Sequence, residues 1–148
     1  MENKLEQDLK AAMLAGDSQK VSVLRGLKAV LLNVKVATGK RDSGLSDDEV
    51  LTQLAKQAKQ RQESADLFKQ GGNQTKADDE LAEKAIIESY LPAQLSQDEL
   101  NKLIDEAIAA SGASGPADMG RVIGQVKAKA GAAADGALIA RLTKEKLS

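Results

Sequence analysis

Apolar residues recur three and four positions apart along almost the whole chain, and nowhere do β-branched or aromatic residues alternate with period two beyond a few positions. The first spacing gathers side chains on one stripe of a helix, whereas a half-buried strand needs the second. The chain is therefore expected to be all-α.

A first helix over about residues 2–15 places Leu5, Leu9, Ala12 and Met13 on one face and stops near Gly16. Asp17 or Ser18 caps a second helix, which runs to about Thr38 with the stripe Leu24, Leu27, Leu31 and Val34. Gly39 and Gly44 bracket a polar turn. Ser46 with Glu49 three positions on is a capping box, and it opens a third helix with the stripe Leu51, Leu54, Ala58, Ala65 and Phe68. Gly71 and Gly72 end it. A fourth helix, about 75–90, stops at Leu91, because Pro92 has no N–H and drives the residue before it out of the α region.

Pro92 also sets the domain boundary, giving a four-helix domain over residues 1–91 and a three-helix domain over 92–148. Ser96 and Glu99 repeat the capping box and open a fifth helix carrying Leu100, Leu103, Ile104, Ala107 and Ile108. After a break at 112–116, a sixth helix starts near Pro116 and carries Met119, Val122, Ile123 and Val126, and Gly131 closes it. A seventh, from about Asp135, buries Leu138, Ile139, Leu142 and Leu147. A segment of roughly 55 residues is near the lower limit for an independent core, so the second domain is expected to lean on the first or on a partner.

The missing residue types exclude mechanisms. The chain has no histidine, cysteine or tryptophan, one tyrosine (Tyr90) and one phenylalanine (Phe68). No side chain has an unperturbed pKa near neutrality, and the Ser-His and Cys-His nucleophile pairs are ruled out. Zinc sites of nitrogen and sulfur ligands lack their donors. Two acidic clusters, Asp47-Asp48-Glu49 and Asp78-Asp79-Glu80, are candidates for a hard cation, but neither has the alternating spacing and glycine of a calcium loop. Both read as first turns of helices, where acids offset the dipole, so no metal and no cofactor is expected. Ser111, Ser114 and Ser148 have no base beside them, and no phosphate-cradling glycine motif is present. A charge balance of 21 basic to 22 acidic residues with 42% hydrophobic residues fits a globular chain. No apolar stretch reaches a membrane-spanning length, and the start, MENKLEQDLK, is too polar for a signal peptide, so a cytoplasmic location without membrane contact is expected.

Charge placement carries the functional signal. Between Ser18 and Arg41 stand Lys20, Arg25, Lys28, Lys35, Lys40 and Arg41 and no acid, and Arg25, Lys28 and Lys35 share roughly one side of the second helix. Lys56, Lys59 and Arg61 fall in a second acid-free window, and Arg121, Lys127 and Lys129 follow Asp118 on the sixth helix. Such strips attract phosphates, and the candidate nucleic-acid contacts are Arg25, Lys28, Lys35, Lys56, Lys59, Arg121, Lys127 and Lys129. The competing reading is that each strip is a solvated face paired with acids of a neighbouring helix. Arg61 lies on the apolar stripe itself, and Glu83 or Glu88 is the expected carboxylate partner. Gly120 and Gly124 read as a close-packing notch against the fifth or seventh helix, with an RNA-facing role as the alternative. With almost no aromatic platforms for stacking, folded RNA is a better ligand than single strands.

The segments KQRQESADLF, ESYLPAQLS and ADMGRVIGQVKAKA followed by ADGALIARL resemble the YqeY family, over the whole chain. That family is similar at its C-terminal end to the tail of GatB, a subunit of the glutamine-dependent amidotransferase that amidates mischarged tRNA. The resemblance implies a four-helix bundle joined to a three-helix tail, and binding of tRNA or another structured RNA without catalysis, since the chemical centre of GatB lies in a domain with no counterpart here. A carbon–nitrogen ligase label would be inherited from that neighbour. The rival readings are a protein-interaction adaptor using an apolar groove between the two bundles, docked on an aminoacylation complex, and an accessory subunit of an amidotransferase.

Overall fold

The computed structural model describes residues 1–148. It contains seven α-helices and no strand: α1 (Glu2–Ala15), α2 (Ser18–Ala37), α3 (Asp47–Gln70), α4 (Gln74–Glu88), α5 (Gln97–Ser111), α6 (Met119–Ala130) and α7 (Gly136–Leu147). Single 3-10 turns at Pro116–Asp118 and Gly131–Ala133 precede and follow α6. The chain is all-α, and no helix is long and apolar enough to cross a membrane.

Side chains near the termini satisfy the orphan N–H groups of most helices. Asp17 accepts from the Lys20 N–H at 3.1 Å, and Asn73 does the same for Lys76 at 3.1 Å. Both capping boxes form: Ser46 Oγ accepts from Glu49 N–H at 3.1 Å while Glu49 accepts from Ser46 N–H at 3.3 Å, and Ser96 and Glu99 repeat the exchange at 3.1 and 2.8 Å. Gly16 turns α1 off with φ 72°, a conformation a Cβ would strain. The fourth helix ends at Glu88 rather than residue 90, because the bonds Tyr90 N–H to Ile87 O and Leu91 N–H to Glu88 O tighten the last turn ahead of Pro92. It begins one residue earlier than expected, at Gln74, which leaves Asp78, Asp79 and Glu80 beyond its first turn instead of in it.

The chain divides into two compact units, Met1–Leu91 and Pro92–Ser148. In unit one, α3 lies along α4, α1 lies along α2, and α2 touches both α3 and α4. Its core is built from Leu5, Leu9, Val23, Leu24, Leu27, Leu31, Val50, Leu54, Ala58, Ile87 and Tyr90. Val50 replaces the expected Leu51, since Val50, Leu54 and Ala58 step by four and share one line of α3, with Leu51 at its edge. Phe68 and Val34 are half-buried, and Met13 is 52% exposed, which removes it from the core stripe of α1.

In unit two, α6 packs on both α5 and α7, and α5 also meets α7. Leu100, Ile104, Ala107, Val122, Val126, Ile139, Leu142 and Leu147 form the core, with Met119, Ile123, Leu103, Ile108 and Leu138 half-buried around it. Thr143 is fully buried, and its hydroxyl donates to the Ile139 carbonyl at 2.7 Å, so no polar group is stranded there. Leu95 N–H donates to Ala133 O at 2.8 Å, tying the segment after Pro92 to the α6–α7 connection.

Candidate nucleic-acid interface

The acid-free α2 borrows carboxylates from its neighbours. Lys28 pairs with Glu6 of α1, Lys35 Nζ lies 2.9 Å from Glu2 Oε1, and Lys40 Nζ bonds Glu49 of α3 at 2.7 Å. Because Glu2 meets Lys35 and Glu6 meets Lys28, α1 and α2 run antiparallel. The Lys28 ammonium holds the Glu6 carboxyl below its ordinary range, and Lys40, then the Ser46 N–H, do the same for Glu49. Of the α2 candidates only Arg25 is exposed without a carboxylate partner.

On α3, Lys56 is exposed and unpaired, while Lys59 is engaged in a contact of its own. Arg61 is half-buried against α4, with Nε 3.0 Å from Glu83 Oε2 and 3.8 Å from Glu80 Oε2. Neither contact has hydrogen-bond alignment at Nε, so the attraction is that of an ion pair. Glu83 is thus the partner and Glu88 is not, since Glu88 is ion-paired with Lys84 at 3.1 Å. Arg61 faces the α3–α4 seam.

Unit two separates its charges by helix. Residues 92–148 hold seven basic and seven acidic side chains, yet from residue 119 onward there are six basic and only two acidic, Asp135 and Glu145. Helix α5 has the opposite balance, with Asp98, Glu99, Asp105 and Glu106 against Lys102. Arg121 is tied to Asp118 at 2.9 Å, whose other oxygen accepts from Ser114 N–H at 3.1 Å. Lys127 and Lys129 are exposed and form no ion pair, and neither does Lys144 on α7. Apolar periodicity overlooks Lys144, because it reads α7 only for its core stripe, whereas a charge count over α6 and α7 together finds it. Gly136 leaves room for Lys127, whose Cε would lie 3.0 Å from a Cβ there.

Gly120 and Gly124 are exposed, and a Cβ built on either would meet nothing within 4 Å. This corrects the expected packing notch: α5 and α7 are met instead by the Val122, Val126 and Ala130 side of α6. Positions 120, 124 and 127 share one side of the helix, but the Lys127 side chain is turned onto Gly136 at the start of α7.

Side chains suited to proton transfer are scarce at any of these places. Tyr90 is the one group pushed far from its ordinary pKa: burial raises it first, and its 2.5 Å hydrogen bond to Asp8 Oδ2 raises it further, keeping the phenol protonated. The two acidic clusters offer no set of three or more carboxylates converging on one point.

Residues 2–147 match the family described as Yqey-like protein. Over 89 residues the chain is 35% identical to the Altered inheritance of mitochondria protein 41, mitochondrial, of Eremothecium gossypii. That alignment covers 60% of this chain and 48% of the relative, so the chain matches about half the length of that relative.

Proposed function

We propose that this chain, which belongs to the Yqey-like protein family, is a noncatalytic module that binds tRNA or another structured RNA through the α6–α7 side of unit two. We read the two units as a four-helix bundle and a three-helix tail, related by the resemblance to the GatB tail to RNA handling in tRNA-dependent amidation. One observation carries the reading. Helix α6 leaves the backbone bare at the exposed Gly120 and Gly124 and carries Lys127 and Lys129 in its last turns, neither of them in an ion pair, so a phosphate ribbon can approach the helix closely and meet cations on it. The α2 strip supports the reading less, because Lys28 and Lys35 are already neutralised by α1. Absence of histidine and cysteine supports action by docking rather than by turnover.

Filter binding of bulk tRNA to the full chain tests it. Neutralising Lys127 and Lys129 to alanine is expected to weaken binding strongly, while the same change at Lys28 and Lys35 leaves it nearly intact. No retention of tRNA in dilute buffer, or equal losses from both pairs, would remove the α6 interface. Glutamine-dependent amidation by the purified chain alone would overturn its noncatalytic character.

A further inference from the structure

The α1–α2 seam of unit one carries a groove lined by apolar and charged side chains together, in which cations outnumber acids. Val21, Arg25, Ala29 and Leu32 step along α2 by three and four, so they form one stripe, and two open concavities of about 410 and 500 Å³ lie along it toward either end of the seam. Met13 of α1 is 52% exposed, Leu32 is 45% and Val36, one turn beyond, is 60%. Large apolar side chains aligned on one face, rather than scattered singly, mark a surface that is covered in use. The carboxylates on the seam, Glu2 and Glu6, are held by Lys35 and Lys28. Arg25 has no carboxylate partner, and Lys10 stands one turn beyond Glu6 on α1, close enough for its charge to lower the Glu6 pKa. Arg25 and Lys10 form no ion pair, so cations outnumber acids along the groove.

We propose that this seam docks an acidic amphipathic helix of another protein. A cleft between two antiparallel helices takes a third helix ridge into groove, and the stretch of α2 from Val21 to Val36 is about 22 Å long, enough for roughly four turns. Apolar residues three and four apart on the partner cover Met13, Leu32 and Val36, and its carboxylates meet Lys10 and Arg25. A second copy of the same surface is a poor occupant, because a two-fold contact would bring the surplus cations Lys10 and Arg25 together with Asp17, at the end of the seam, as the one acid outside an ion pair. RNA is poor too, since Leu32 and Met13 lie among the cations and Lys28 and Lys35 are already paired. The inference is independent of the RNA reading, which rests on unit two.

A fluorescein-labelled synthetic peptide of about 16 residues, with leucines at helical spacing and glutamates flanking them, tests the groove by fluorescence anisotropy with the full chain. The comparison peptides are a scrambled version and one with lysine in place of every glutamate. Saturable binding of the acidic peptide, at least about tenfold tighter than of either comparison, is expected. The double variant Leu32→Asp with Val36→Asp should weaken it by at least about tenfold while melting unchanged and retaining tRNA as before, because both sites are exposed. The pair Lys10→Glu and Arg25→Glu should transfer preference to the lysine peptide, which a mere folding defect cannot do. The proposal fails if the acidic peptide does not saturate, if scrambling leaves affinity unchanged, or if the chain is a dimer that Leu32→Asp dissociates.

Discussion

Glycines in open space respond to substitution according to their backbone angle alone. Gly120, Gly124 and Gly112 all have nothing within 4 Å of the place a Cβ would occupy, but Gly112 has φ 68° and the other two are ordinary helical residues. Replacing Gly120 or Gly124 by alanine should raise stability by about 0.5–1 kcal/mol, whereas Gly112→Ala should lower it by about 1 kcal/mol. Urea titration of the three variants checks the signs. If RNA meets the bare backbone of α6, the two stabilised variants also bind tRNA more weakly. Tyr90 offers a second test at this scale. Its folded pKa lies above the ordinary 10.0, so its contribution is complete below pH 10 and is lost as pH rises beyond it. Tyr90→Phe removes the Asp8 bond and should cost about 1–2 kcal/mol at neutral pH, with a shallower alkaline fall in melting temperature than the parent.

At the scale of the element, Ser46 and Ser96 make the same bonds at the starts of α3 and α5 and should be worth about the same, roughly 1 kcal/mol each on replacement by alanine. Glu49 differs from Glu99 in also holding Lys40, which joins the α2–α3 turn to α3. Its folded pKa is depressed, so that contribution is present above the unfolded value and disappears as pH falls through the lower folded one. Lys40→Met should therefore flatten the acid side of the stability profile below about pH 4.5, measured by melting temperature against pH. These caps were legible in the sequence because donor and acceptor are three residues apart. The partners of the α2 lysines were not, because Glu2 and Glu6 are distant in sequence and meet Lys35 and Lys28 only through the antiparallel pairing of α1 with α2. For the same reason Gly120 and Gly124 read as a notch: periodicity says that two residues share a face, not whether a helix or solvent lies opposite. Val50 displaced Leu51 because Leu54 and Ala58 can be extended backwards by either three or four residues, and the buried line of α3 takes the step of four.

Across the whole molecule the near-zero net charge of −1 gives a polyanion no general attraction, so RNA affinity has to come from local segregation. The cations of α6 and α7 outside any ion pair are Lys127, Lys129 and Lys144, and three phosphate contacts give a slope of about −2.7 for the logarithm of affinity against that of salt. Raising salt fourfold, from about 50 to 200 mM, then weakens binding about 40-fold, and removing Lys127 and Lys129 leaves a dependence of only about fourfold. If the candidates on α2 and α3 met phosphates as well, eight contacts would make the fall roughly twenty-thousandfold over that range. Such steepness would require Lys28 and Lys35 to leave Glu6 and Glu2. A shallow slope confined to Lys127, Lys129 and Lys144 is the expected result, because ion pairs already closed within unit one release no counterions when RNA arrives.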